Sequence, residues 1–121
     1  MKGPEKLLKV EKVGNVHCVD LHAARLEDDQ MDDLGAEFAQ LVDVDNARAV
    51  VLMLGPDEVD CLLSVFFAKV LNLQRRLDSV EGKLALAQVN DDTRELFRIA
   101  GIEKYFSFYP DRQSAVKALS Q

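Results

Sequence analysis

Apolar and polar positions along the chain change period several times, and each change marks an element. Residues 7–13 partly alternate, and Val16-His17-Cys18-Val19-Asp20-Leu21 follows across Gly14-Asn15. Two such runs around a two-residue Gly-Asn turn predict a β-hairpin. After a polar connection over 22–28, Met31, Leu34, Phe38, Leu41 and Val42 fall on one face at helical spacing. Asp29 is the expected N-cap there, Asp32 and Asp33 complement the helix dipole, and Gly35 weakens the helix slightly.

The continuous apolar run 49–54 predicts a strand covered on both faces. Gly55-Pro56-Asp57 breaks it, and the spacing then predicts a long helix over 64–77. Its buried stripe is Phe66, Val70, Leu73 and Leu77, with Lys69, Asn72 and Arg76 on the opposite face. A further strand is expected over 83–89. Asp92-Thr93-Arg94-Glu95 resembles a capping box with Asp92 as cap. It opens a short helix carrying Leu96, Ile99 and Ala100, and Gly101 takes the C′ position that stops it. A last strand over 105–109 and a terminal helix from Pro110-Asp111 through Ala115, Val116 and Leu119 complete the order β-β-α-β-α-β-α-β-α. Strands alternating with helices after a hairpin predict right-handed βαβ crossovers. The fold class is therefore α/β, a mixed and mostly parallel sheet of about five strands with about four packed helices.

Composition changes this picture little and narrows the function. A length of 121 residues suits a single domain over 1–121, and 48% hydrophobic with 30% charged residues suits a folded chain. The net charge of −6, with no basic run longer than Arg75-Arg76, argues against nucleic acid as a partner. The start of the chain does not read as a signal peptide, and no apolar run approaches the roughly 20 residues that span a bilayer. Two lone thiols, Cys18 and Cys61, without CxxC spacing fit a reducing compartment; two packed thiols are the simpler reading, with a disulfide the alternative. The cytoplasm is the expected location, with no membrane association.

Catalytic machinery is not visible. His17 and His22 stand five apart, in or beside the second strand, and so point to opposite faces; His17 and Cys18 are separated across the sheet as neighbours. No GxSxG elbow, HExxH helix or Gly-rich phosphate loop occurs. The acids Glu27, Asp28, Asp29, Asp32 and Asp33 lack EF-hand ligand spacing and read as a solvated helix start. No catalytic residue, metal or cofactor is expected, and the chain does not read as an enzyme.

What remains is the segment from Asp57 to Lys69, where a strand's carboxyl end feeds a helix, the edge at which open α/β sheets usually place their sites. Ser64 is expected as the N-cap or first residue of that helix. One reading is a hydroxyl capping a free backbone N–H, worth roughly 0.5–2 kcal/mol. The other is a phosphorylation switch. A phosphate of about −1.5 to −2 charges is tolerated at a helix N-terminus, but not by a partner packed on Leu63, Val65 and Ala68.

At this segment the chain resembles a STAS domain, the fold of bacterial anti-sigma factor antagonists and of sulfate-transporter tails. The family pattern V-E-Y-L-S-S-A-x-L-G corresponds to Val59-Asp60-Cys61-Leu62-Leu63-Ser64-Val65-Phe66-Phe67-Ala68. A G-G-x-L-x-L strand is matched by Gly82-Lys83-Leu84-Ala85-Leu86, and an R-E-L-F-x-I-x-G-L helix by Arg94 to Ile102. The resemblance spans residues 16–119, and its strength lies in the order and spacing of motifs that are each weak.

The resemblance implies that a serine-kinase anti-sigma factor phosphorylates the second serine of the pair, that a cognate phosphatase releases it, and that only the unmodified form binds the kinase. That serine falls on Ser64. The first serine of the pair is Leu63 here, the preceding Asp is Leu62, and the following small residue is Val65. The expected partner-binding residues are Leu62, Leu63, Val65, Ala68 and Lys69. Asp20 and Asp57 are added as flanking acids, and both also read as solvated loop acids. The alternative is a diverged, non-phosphorylated STAS scaffold held by the apolar patch Leu62, Leu63, Val65 and Phe67. The expected state is a monomer or weak homodimer.

Overall fold

The structure, a computed structural model, describes residues 8–21, 28–54 and 63–120; the side chains of residues 21, 28–31, 63 and 64 lie outside that description. The strands are β1 (Leu8–Val13), β2 (Val16–Leu21), β3 (Ala49–Met53), β4 (Lys83–Ala87) and β5 (Ser107–Tyr109). The helices are α1 (Asp28–Asp43), α2 (Leu63–Asp78), α3 (Asp91–Ile99) and α4 (Arg112–Leu119), with one 3-10 turn at Glu103–Tyr105. The sheet runs β1-β2-β3-β4-β5, its first pair antiparallel and the other three parallel.

Strands taken in consecutive order and joined by right-handed crossovers must carry every crossover helix on the same face. One face of the sheet accordingly packs Val19, Val50, Leu52, Leu84 and Leu86 against Leu34 and Phe38 of α1, Phe66, Val70 and Leu73 of α2 and Phe97 of α3. The other face, Cys18, Ala49, Val51, Met53, Ala85 and Ala87, is left for α4 through Ala115, Val116 and Leu119. All five residues of β3 are buried, as a strand covered on both faces requires.

Several elements begin or end elsewhere than the apolar pattern indicates. α1 starts at Asp28, so Asp29 lies inside the helix and is not its cap. Met31 lies outside the described side chains. β4 stops at Ala87, because Gln88 turns to a left-handed backbone with φ 57°. β5 keeps only Ser107–Tyr109, since residues 103–105 wind into the 3-10 turn.

α3 departs most. Its cap is Asn90, whose Oδ1 accepts the Thr93 N–H at 2.8 Å, and Asp92 lies within the first turn. Thr93 and Phe97 are its buried residues; Ile99 is 68% exposed and Ala100 is also exposed. The helix ends as expected on Gly101 at φ 75°. The Gly101 N–H donates to the Arg98 carbonyl at 3.0 Å and the Ile102 N–H to the Phe97 carbonyl at 3.1 Å, the paired bonds of a Schellman end.

Phe97 is the hub of an aromatic cluster. Its ring centroid lies 4.6 Å from Phe67, 5.5 Å from Phe106 and 5.6 Å from Phe108, the last two edge-on. Arg94 stacks its guanidinium 4.5 Å from the Phe108 centroid. In urea unfolding, Phe97→Ala is expected to cost about 3–5 kcal/mol and Ile99→Ala less than about 0.5 kcal/mol. Equal losses at the two positions would contradict this assignment of the buried face.

Candidate functional site

The carboxyl end of the parallel sheet faces the start of α2. The helix begins at Leu63, so Ser64 is its second residue and not its cap: Leu63 already has helical backbone. Ser64 still lies in the first turn, where four backbone N–H groups have no partner within the helix and the positive end of the dipole sits. Leu62 and Asp57 lie outside the described residues, as do the side chains of Leu63 and Ser64.

Past that turn the two faces of α2 separate clearly. Phe66 and Phe67 go inward, 2% and 7% exposed, with Phe67 against Phe97. Phe67 is therefore not part of an exposed apolar patch; the ring of α3 occupies the direction in which it points. Val65 is 36% exposed and Ala68 and Asn72 are exposed, one turn apart along the outer face. Arg75 and Arg76 continue that exposed face toward the helix end. Nothing in the apolar pattern separates Phe66 from Phe67, since both follow a helical period in different registers. Only the aromatic partner on α3 decides.

Lys69 does not project freely into solvent. Its side chain, 24% exposed, leans across α1, with Nζ 3.8 Å from an Asp32 carboxylate oxygen. Gly35 makes this possible: a Cβ there would stand 3.2 Å from both Cδ and Nζ of the lysine. The glycine that weakens α1 in sequence thus lets the apolar stem of Lys69 lie on the helix. Farther along, Arg76 Nη1 meets Asp43 Oδ2 at 2.6 Å. Between the helices runs a groove of about 640 Å³, lined in part by Gly35, Ala36, Lys69, Arg75 and Arg76. The sequence pattern sets Lys69 and Arg76 on one polar face of α2 but gives no sign that α1 closes a groove beside them.

Asp20 is half-buried at the carboxyl end of β2, opposite Met53 of β3. Alternation gives it the same side of the sheet as Cys18, the side covered by α4. Cys18 is a free, buried thiol, and burial followed by the Asp20 charge pushes it above its ordinary value, so it stays protonated and unreactive. Asp20 therefore shares the sheet end with the start of α2 but belongs to the opposite face. Cys61 lies outside the described residues. Among the described residues no group of three His, Cys, Asp or Glu is placed to hold a metal ion, and no helix is long and apolar enough to cross a membrane.

No family model matches the chain. BtrV of Bordetella bronchiseptica, named an anti-sigma factor antagonist, is 35% identical over 85 residues, which cover 70% of this chain and 71% of BtrV. The fold is that of solved anti-sigma factor antagonists. One from Thermotoga maritima superposes with a TM-score of 0.79 at 15% identity, over 94% of this chain and 95% of that one. A STAS domain protein from Planctomyces limnophilus gives 0.76 at 20% identity, over 93% and 96%. The phosphorylated form of the Bacillus cell fate determinant SpoIIAA gives 0.68 at 14% identity, over 92% and 98%. A sequential five-stranded mixed sheet with three helices on one face, together with the identity to BtrV, places this chain in the STAS-domain family of anti-sigma factor antagonists.

Proposed function

We propose that this chain, acting as a single cytoplasmic domain and not as an enzyme, binds a serine-kinase-type anti-sigma factor through the first turns of α2 and is switched by phosphorylation of Ser64. The observation that carries this reading is the placement of Ser64 as second residue of a helix whose next exposed positions are Val65 and Ala68. A kinase would transfer the γ-phosphoryl group of ATP to the Ser64 hydroxyl, releasing ADP, and a cognate phosphatase would return the serine by hydrolysis.

The physics of the position supports a switch that leaves the fold intact. A phosphate in the first turn of a helix faces the positive end of the dipole, worth about 0.3–1 kcal/mol in its favour. A partner lying over Val65 and Ala68 would instead have to strip water from a group of about −1.5 to −2 charges, and buried unpaired charge costs several kcal/mol. Leu62, Leu63 and Lys69 belong to the proposed rim, with Asp57 flanking it; Asp20, on the sheet face that α4 covers, is left out of it. The chain acts as a monomer or weak homodimer. A scaffold without phosphorylation is less well supported, because burial of Phe67 removes one of the four residues of its apolar patch.

Incubation with ATP and the kinase-type anti-sigma factors of its source organism is expected to add one phosphate, located at Ser64 by mass spectrometry. Ser64→Asp is expected to weaken partner binding by about 100-fold, equivalent to about 2.7 kcal/mol, and Ser64→Ala to preserve it. Binding that is tight and indifferent to both changes would replace the switch with the scaffold.

A second pair of variants separates docking from folding. Phe67→Ala is expected to lower stability by about 3–5 kcal/mol in urea unfolding. Val65→Ala should change stability by less than about 0.5 kcal/mol yet weaken the complex measurably. A Val65→Ala protein that binds as well as the parent would move the contact surface elsewhere.

A further inference from the structure

At the end of the sheet remote from Ser64, the hairpin β1–β2 and the first residues of β3 and β4 surround a cavity of about 380 Å³, in the range of small-ligand sites. Its charged and titratable lining is Lys12 from β1, His17 from β2, Asp45 and Arg48 from the connection into β3, Glu81 from the connection into β4, and Lys83 at the start of β4. Three fixed cations stand against two acids, in a chain whose net charge is −6. Among the described residues, Lys12 and Lys83 carry no ion pair or side-chain hydrogen bond. Arg48 uses Nη1 on the carbonyls of Val42 and Ala47, at 3.2 and 3.0 Å.

Two further features set this cavity apart. The Nδ1 atom of His17 is buried with no hydrogen-bond partner, and an unpaired buried polar atom costs about 1–3 kcal/mol unless something satisfies or offsets it. The frame is also rigid and strained. Asn46 and Glu81, both in the lining, hold left-handed backbone at φ 58° and 60°, a region glutamate seldom adopts. Beside Glu81, a Cβ at Gly82 would stand 2.7 Å from the Arg48 carbonyl oxygen, which itself accepts the Lys83 N–H at 2.7 Å. Only glycine lets the two connections close on each other, and that closure fixes the spacing of Arg48 and Lys83.

We propose that this cavity binds a small anion, a carboxylate or a phosphate, held by Lys12, Arg48 and Lys83 beside His17. The imidazole reports occupancy. Burial holds His17 below its ordinary value, Lys12 adds to that effect, and Asp45 opposes it. In the empty protein stability therefore falls as pH drops below the ordinary histidine range, since the unfolded chain takes up the proton more readily. An anion among the cations offsets the Lys12 charge and raises the titration midpoint. By reciprocity it binds the protonated ring more tightly, in the same ratio.

The chain has only two histidines, so His22→Gln leaves His17 as the single imidazole in the proton NMR spectrum. Its midpoint is followed in potassium phosphate, in sodium succinate and in sodium chloride, at equal ionic strength to remove screening. Phosphate or succinate is expected to raise the midpoint by about half a pH unit over chloride, which corresponds to about threefold tighter binding to the protonated ring. Adding Lys12→Gln and Lys83→Gln, both exposed positions, is expected to abolish the difference while thermal unfolding in chloride stays cooperative; Lys12→Gln alone reduces it. A response to one anion only names the ligand class. Equal midpoints in all three salts, or a shift that survives both lysine substitutions, overturns the proposal.

Discussion

The contact between Phe67 and Phe97 governs how the proposed regulatory edge is presented. α2 reaches the sheet through Phe66, Val70, Leu73 and Leu77, a stripe that would by itself permit some rotation about the helix axis. Phe67 removes that freedom. Its ring, tilted at 51° and 4.6 Å from Phe97, ties the first full turn of α2 to α3, and Phe97 in turn is held edge-on by Phe106 and Phe108. Aromatic pairs of this kind contribute roughly 0.5–1.5 kcal/mol beyond the area they bury. The outward direction of Val65 and Ala68 follows from where Phe67 is fixed.

The consecutive strand order has a second consequence, because it separates the molecule into two ends with different chemistry. Helices α1, α2 and α3 share one face, so the start of α2 lies at the carboxyl end of the sheet. The amino end is left to the turns that follow α1 and α2, where Asn46, Arg48, Glu81 and Lys83 gather. α4, eight residues long and capped by Asp111 through the Ser114 N–H at 2.7 Å, closes the other face with small residues opposite it. Ala49, Ala85 and Ala87 beneath it allow so short a helix to sit close.

Much of this architecture was legible in the sequence, because period is a strong signal where an element is long or wholly buried. The hairpin around Gly14-Asn15, the buried run of β3, the stripe of α2 and the Gly101 stop all follow from local chemistry. The misreadings fall where two local choices are nearly equal. Asn90 and Asp92 are both good caps, and the decision lies in which one leaves Thr93 and Phe97 facing the core. Leu96, Phe97 and Ile99 offer two competing apolar faces on a nine-residue helix; the ring of Phe67 selects Phe97, a tertiary fact with no local trace. Lys69 looked like a solvent-facing cation because Gly35, the residue that receives it, is thirty-four positions away. The cations at the amino end of the sheet are scattered singly through three segments, so no motif announces them.

The clamp on Phe67 also bears on how a phosphate at Ser64 would be read. A modification can shift a conformational equilibrium only through a difference in its interaction with the two states. In the first turn of α2 the charge is favoured by the helix as it stands, so it offers no gain to a rearranged helix. Rearrangement would also have to draw Phe67 out of a fully apolar setting, and burying one such side chain is worth about 1.5–3 kcal/mol. The dipole's contribution of about 0.3–1 kcal/mol has the wrong sign, and too small a size, to oppose that. A switch of the proposed kind would therefore work by direct contact: the partner would meet the phosphate on an unchanged surface, and the free energy lost would be the partner's cost of desolvating it.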